Sequence, residues 1–237
     1  MTRAEFIYLL PYLGSLLLCV ALLAVIRYNR NANGSAALFY YMLGQSLYVF
    51  GFIFELMSAE LQGKLFWENA QWMASCLPVV AFPVFAAGYG GYRFKNQRNL
   101  FLASLAVPIL FAGFVATNSL HDLTYLNKKL ASSGPFMVLE YEYSPILIGF
   151  SIYLIFIVAL SCIVLFTQVK RPQNLYRPQT WLVIIGAMIP LAGPILSVVN
   201  IQPHRSASLI AITIGSLVLA RGVYRFRIFE VEPIARE

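Results

Sequence analysis

The sequence predicts an all-α integral membrane protein: a seven-transmembrane helix bundle with its N-terminus outside the cytoplasm, its C-terminus inside, and an external β-hairpin between helices 4 and 5. Three observations carry this expectation. Of the 237 residues, 59% are apolar and only 11% charged, whereas soluble domains carry about 25% charged residues. Seven apolar runs are each long enough to cross a hydrocarbon core about 30 Å thick, which takes roughly 20 helical residues. Lys and Arg gather on one side of those runs.

The runs lie at 6–26, 36–57, 65–87, 100–117, 144–167, 180–199 and 206–222. The first begins almost at Met1 and lacks a small-residue cleavage pattern, which predicts a retained helix rather than a removed leader. Pro78 and Pro83 in the third run, and Pro190 and Pro194 in the sixth, remove backbone donors and predict kinks or loosening. A seven-residue turn is expected between the second and third runs. The long segment 118–143 carries Ser132, Ser133, Gly134 and Pro135 between two stretches of strand character. In the second stretch Leu139, Tyr141 and Tyr143 alternate with Glu140 and Glu142, as in a half-buried strand, so a hairpin lid over the bundle is expected. Residues 1–222 are read as the membrane domain and 223–237 as a cytoplasmic juxtamembrane linker to an output domain.

Basic residues flanking membrane spans are retained on the cytoplasmic side. Of the 17 Lys and Arg, twelve fall on the side of the C-terminus, among them Arg27, Arg93, Arg171 and Arg221. Five fall on the other: Arg3, Lys64, Lys128, Lys129 and Arg205. The acids run the opposite way. This scatter between spans accounts for the net charge of +7 without a basic groove for nucleic acid.

Ionisable groups at membrane depth are expensive, about 2.5–3.5 kcal/mol on insertion scales, so each should face a cavity or a partner. Gln45, Tyr48, Phe52 and Glu55 share one face of the second helix, and Glu68, Gln71, Trp72 and Ser75 share one face of the third. The two stripes can face each other and open to the outside. Asn118, His121 and Asp122 follow the fourth run, and Asn200, Gln202 and His204 follow the sixth. The candidate ligand-binding set is therefore Gln45, Tyr48, Phe52, Glu55, Glu68, Gln71, Trp72, Asn118, His121 and Asn200. The bland readings are interfacial anchoring for Trp67 and Trp72 and simple solvation for Glu60 and Glu68.

Residue types exclude several chemistries. All lysines fall at or beyond span ends, so no retinal Schiff base is expected. Both histidines lie outside the bundle, which argues against bis-histidine haem; with Asp122 they could hold a metal or sense pH, but two scattered histidines are ordinarily polar loop residues. Cys19, Cys76 and Cys162 sit apart inside apolar runs without metal-ligand spacing and read as buried small side chains. No Walker loop, G-x-S-x-G or H-E-x-x-H occurs, so no catalytic set, cofactor or metal is expected.

Taken together, the segments resemble the N-terminal seven-transmembrane sensor region of bacterial histidine kinases, a family whose members also precede diguanylate cyclase and other signalling outputs. The resemblance covers nearly the whole chain. It is carried by WENAQWMASCLPVVAFPVFAAGYGGY at 67–92, TNSLH at 117–121, Gly134-Pro135 leading to Tyr143-Ser144, GAMIPLAGPI in the sixth span, and YRFRIFEVEPIAR at 224–236. The last is the most specific, since a similar run leads from the seventh helix into the output of family members. Family members often show a second histidine beside TNxxH, where this chain has Asp122, and many carry His or an aromatic where it has Glu140 and Glu142. The resemblance implies a multi-pass receptor of the bacterial cytoplasmic membrane and a small-molecule ligand from outside or from the lipid. It also implies a relay through Arg221, Arg225, Phe226 and Arg227, a cytoplasmic kinase or cyclase output, and a homodimer in full-length form. The acids and aromatics at the outer ends suggest a cationic or amphipathic ligand. A transporter is the alternative, though it would want polar midplane residues and inverted repeats.

Overall fold

The computed structural model describes residues 2–28, 35–89, 97–169, 177–198 and 205–226. Within those ranges side chains are described except at 89, 97–104, 133, 168–169, 177–179, 197–198, 205–208, 220 and 222–226. The elements run α1 (Arg3–Tyr28), α2 (Ser35–Met57), α3 (Leu61–Tyr89), α4 (Gln97–Ala116), a one-turn α5 (Asn118–His121), β1 (Tyr125–Ser133), β2 (Phe136–Tyr143), α6 (Pro145–Val169), α7 (Arg177–Met188), a 3-10 turn (Ile189–Leu191), α8 (Ala192–Val198) and α9 (Arg205–Phe226).

Local chemistry sets several of these boundaries. Thr2 and Glu5 form a reciprocal capping box at the start of α1, the Thr2 amide donating to Glu5 Oε2 at 2.6 Å and the Glu5 amide to Thr2 Oγ1 at 3.3 Å. Ser144 Oγ accepts from the Leu147 amide at 3.3 Å and caps α6. The turn between α2 and α3 spans only 58–60 rather than seven residues, because α3 starts a turn earlier than its apolar run. In the sixth span, Pro190 breaks the α-helical ladder, so α7 and α8 are separate helices joined by the 3-10 turn. Helix α3 continues through Pro78 and Pro83.

Among the described residues, α1, α2, α3 and α6 are long and apolar enough to cross a membrane, and Leu105–Ala116, Thr180–Leu196 and Leu209–Leu219 are shorter apolar helices. Their outward side chains stay apolar, as at Leu17, Leu110, Phe156 and Ile163. Lipid satisfies such surfaces, while the backbone polar groups are satisfied within each helix. The protein is a multi-pass helical membrane bundle.

Close approaches fix two helix pairs. A Cβ on Gly44 of α2 would collide with Pro78 and lie 2.9 Å from the Ala74 carbonyl of α3. A Cβ on Gly215 of α9 would lie 2.7 Å from the Gly186 carbonyl of α7 and 2.9 Å from the Pro190 ring. Small residues let membrane helices pack backbone to backbone where the hydrophobic effect supplies no drive. The α2/α3 pair and the α7/α9 pair are thus tight, and α1 and α6 bridge between them.

The hairpin forms as expected. Its antiparallel register closes at Ser133 opposite Phe136, and Gly134 takes the positive φ of 61° that its two-residue turn needs. A bulge between Leu126 and Lys129 accommodates Asn127 at φ 49°. The inward alternation changes phase between Val138 and Leu139. Phe136 and Val138 join the core of Tyr12, Phe52 and Leu209, whereas Tyr125, Tyr141 and Tyr143 join that of Trp72, Phe111 and Phe150. One strand therefore ties the α1/α2 side of this end of the bundle to the α3/α6 side.

Candidate functional site

A concave feature with convergent polar groups lies between the two tight helix pairs. It offers about 100 Å³ that the centre of a water molecule can reach, within about 760 Å³ of empty space counted with its open mouth. Tyr41, Gln45 and Tyr48 of α2 line one wall with Trp72, Ser75 and Pro78 of α3. Opposite stand Ala187, Pro190, Leu191 and Pro194 of the broken sixth span and Ile212 of α9. Leu154 and Val158 of α6 and Tyr143 of β2 complete it. Tyr41 and Tyr48 are two turns apart, so this wall runs about 10 Å along the helix axis.

Pro190 lines the cavity where the 3-10 turn separates α7 from α8. The polar lining is neutral: three tyrosines, an indole, an amide and a hydroxyl. The Gln45 amide stands beside the Tyr41 hydroxyl, and Ser75 Oγ donates to the Trp72 carbonyl at 2.6 Å. Trp72 is held from several sides, with Phe111, Tyr143 and Phe150 edge-on at ring distances of 5.9, 5.7 and 6.4 Å.

Two buried polar clusters lie beyond the cavity, toward the hairpin end. In the first, Gln71 Nε2 donates to Glu55 Oε2 at 2.9 Å, and Lys64 Nζ donates to the Glu55 backbone carbonyl at 2.7 Å. Lys64 is 0% exposed and Glu55 1%. This ammonium meets a carbonyl at the C-terminal end of α2, where the helix dipole favours a cation. In the second, the Tyr141 hydroxyl donates to Glu68 Oε1 and accepts from Trp72 Nε1, the latter at 3.0 Å. Tyr125 donates to Asn69 Oδ1 at 2.7 Å alongside. The hairpin is thereby pinned to the first turns of α3, and Trp72 connects that anchor to the cavity wall.

The profile of the N-terminal 7TM region of histidine kinase matches residues 11–233. The chain belongs to that family. No curated protein matches the chain.

In this histidine kinase 7TM region the two sequence stripes do face each other, through Gln71 and Glu55. Among the described residues they divide between the cavity and the buried clusters. Gln45, Tyr48 and Trp72 line the cavity; Glu55, Glu68 and Gln71 are closed into the buried clusters, and Phe52 packs edge-on against Tyr12 at 5.3 Å. Asn118 is a turn residue whose Oδ1 accepts from the Thr124 amide at 3.0 Å. His121 is likewise local, with Nδ1 accepting from the Leu123 amide at 3.1 Å and Nε2 lying 3.1 Å from the Phe114 carbonyl. Asn200, Gln202, His204 and Arg227 lie outside the described residues, as do the side chains of Arg225 and Phe226. Arg221 is exposed on α9, which continues past 222 to Phe226.

Sequence reasoning missed three contributors. Lys64, expected at a span end, stands there in the first turn of α3 and is the buried cation of the first cluster. Tyr141 was legible as an inward strand residue, but its partners Glu68 and Trp72 are about 70 positions away in sequence. Tyr41 reads as one more aromatic in an apolar run, and only the tertiary packing places it on a cavity wall with Pro190.

Proposed function

We propose that this chain is the sensor module of a bacterial signal-transducing histidine kinase: a receptor of the cytoplasmic membrane, N-terminus outside and C-terminus inside. A small amphipathic ligand binds in the central cavity, and a helix shift passes along α9 to a cytoplasmic kinase or cyclase output. The observation that carries this reading is that the cavity touches α9 and the helix break packed on it. Pro190 lines the cavity on one side and abuts Gly215 of α9 on the other, so an occupant that moves the 3-10 turn moves the helix that leads to the C-terminus. Ligand can act only through differential affinity for two helix arrangements. Arg221, Arg225, Phe226 and Arg227 would carry the shift outward along residues 223–237, the juxtamembrane linker. The distribution of Lys and Arg supports the orientation, and a homodimer is the expected full-length state. Catalysis belongs to the output.

The test is autophosphorylation in nanodiscs by the chain joined to a histidine kinase output. Ala187→Leu fills the cavity from its α7 wall and should hold autophosphorylation at one level whatever amphiphile is added. Gly14→Ala, where an added Cβ meets nothing within 4 Å, should respond as the parent does. Undiminished response in Ala187→Leu sinks the cavity as the sensing site. A discontinuous helix beside a mid-depth cavity also occurs in transporters. Solute flux into proteoliposomes that Ala187→Leu abolishes would replace the receptor reading with that one.

A further inference from the structure

We infer that the cavity selects an uncharged molecule with a compact ring or branched apolar body and one hydroxyl or carbonyl group, rather than a cation. This rests on the proposal that the cavity is the ligand site, and it changes the ligand class that the acids at the helix ends suggest.

Every residue lining the cavity is neutral. The acids that would attract a cation are placed elsewhere. Glu55 stands ten residues beyond Gln45 on α2, about 15 Å along the axis, bonded to Gln71 with Lys64 on its own carbonyl. Glu68 is 4% exposed, does not line the cavity, and connects to it through Tyr141 and Trp72. Trp72 already packs against Phe111, Tyr143 and Phe150 at 5.7–6.4 Å between ring centres. A cation entering this space would lose its hydration without a counter-charge, whereas an uncharged body is favoured by the apolar walls of Val79, Leu154, Val158 and Leu191.

The polar lining specifies the rest. A primary amide offers two donors and a carbonyl, more than the Tyr41 hydroxyl beside it can use. Gln45 can therefore meet a ligand hydroxyl or carbonyl about midway along α2, while the apolar body lies toward Pro190 and Ile212. Hydrogen bonds made to a buried polar group are the ones that discriminate between otherwise similar ligands.

The experiment compares 4-tert-butylphenol with its isosteric cation, (4-hydroxyphenyl)trimethylammonium, on the 237-residue chain in nanodiscs. Trp67→Phe and Trp181→Phe leave Trp72 as the single tryptophan, read with excitation selective for indole over phenol, and calorimetry on the unsubstituted chain provides a second readout that no variant can compromise. The phenol should give a saturable shift, bind at least about tenfold tighter than the cation, and weaken about tenfold in Gln45→Leu. Equal or tighter binding of the cation overturns the ligand class while leaving the cavity as a site, provided that binding is lost in Ala187→Leu. Saturable binding that persists unchanged in Ala187→Leu, or no saturable binding of either probe, overturns the cavity reading and this inference together.

Discussion

Lys64→Met isolates the cost of the buried cluster between α2 and α3. The ammonium is fully buried and donates to the Glu55 carbonyl at 2.7 Å; Glu68, also buried, lies one turn further along α3. Losing a charged hydrogen bond alone costs about 1.5–3 kcal/mol. Stranding a buried carboxylate costs more, about 3–5 kcal/mol, because the remaining charge is uncompensated. For a chain of this length, the larger figure corresponds to a fall of roughly 6–20 °C in apparent Tm, read by thermal unfolding in one detergent for all variants. The two causes separate in double variants. If charge balance dominates, Lys64→Met combined with Glu68→Gln or Glu55→Gln recovers about half the loss, since neutral amides no longer need a cation. A fall under about 2 °C, or no recovery in either double variant, refutes the view that this cluster is an electrostatic clasp.

Three further outcomes follow from named contacts. Tyr141→Phe removes a hydroxyl that serves both Glu68 and Trp72, so hydrogen exchange in β1 and β2 should accelerate by about tenfold or more. Lys129→Ala removes only an exposed pair with Glu140 at 3.3 Å and should leave exchange within a factor of about two. Gly215→Ala forces a Cβ to within 2.7 Å of the Gly186 carbonyl and should destabilise by about 1–3 kcal/mol, whereas Gly149→Ala, with open space around it, should be neutral or stabilising by up to about 1 kcal/mol; equal effects would remove the case for a tight α7/α9 crossing. For orientation, Ser132→Cys in intact cells should react with a membrane-impermeant maleimide and Asn174→Cys only after permeabilisation, against a low background because Cys19, Cys76 and Cys162 are buried. The reverse pattern inverts the proposed topology.

The membrane bundle was legible because lipid imposes its constraint locally: a span must be apolar along its own length, and no distant residue is needed to see it. The hairpin was legible for the same reason, with Gly134-Pro135 and the alternation from Leu139 to Tyr143 both short-range signals. The burial of Lys64 was not legible because a lysine near a span end is ordinarily solvated. Its burial follows from a three-residue turn that folds α3 back onto the last carbonyls of α2, a distance relation no periodicity reveals. Asn118 and His121, polar and just past a span, accept from local backbone amides, a pairing that polarity and position alone do not reveal. Gln45 and Glu55 share a helix face, and nothing in that face tells that one borders a cavity and the other is sealed by Gln71. The wall facing Gln45 includes Pro190, about 145 positions later in the chain, and Glu55 meets Gln71 on the neighbouring helix.

The architecture also limits how strongly such a site can signal. The α2/α3 pair and the α7/α9 pair are each closely packed but share few direct contacts across the cavity, so an occupant that touches Pro190 and Ile212 on one side and Tyr48 on the other acts as the joint between them. Only contacts present in one helix arrangement and absent from the other can bias the balance. If the occupant gains about 100 Å² of apolar contact with the α8/α9 wall in the active arrangement, that is worth about 2.5 kcal/mol, or close to a hundredfold shift. Driving an equilibrium from 1:99 to 99:1 requires about 10⁴-fold. A cavity of this size therefore cannot throw a strongly biased switch. On the proposed reading the resting protein must already populate both arrangements to within roughly tenfold of parity, and the attached output should show measurable basal activity that ligand raises or lowers by degrees.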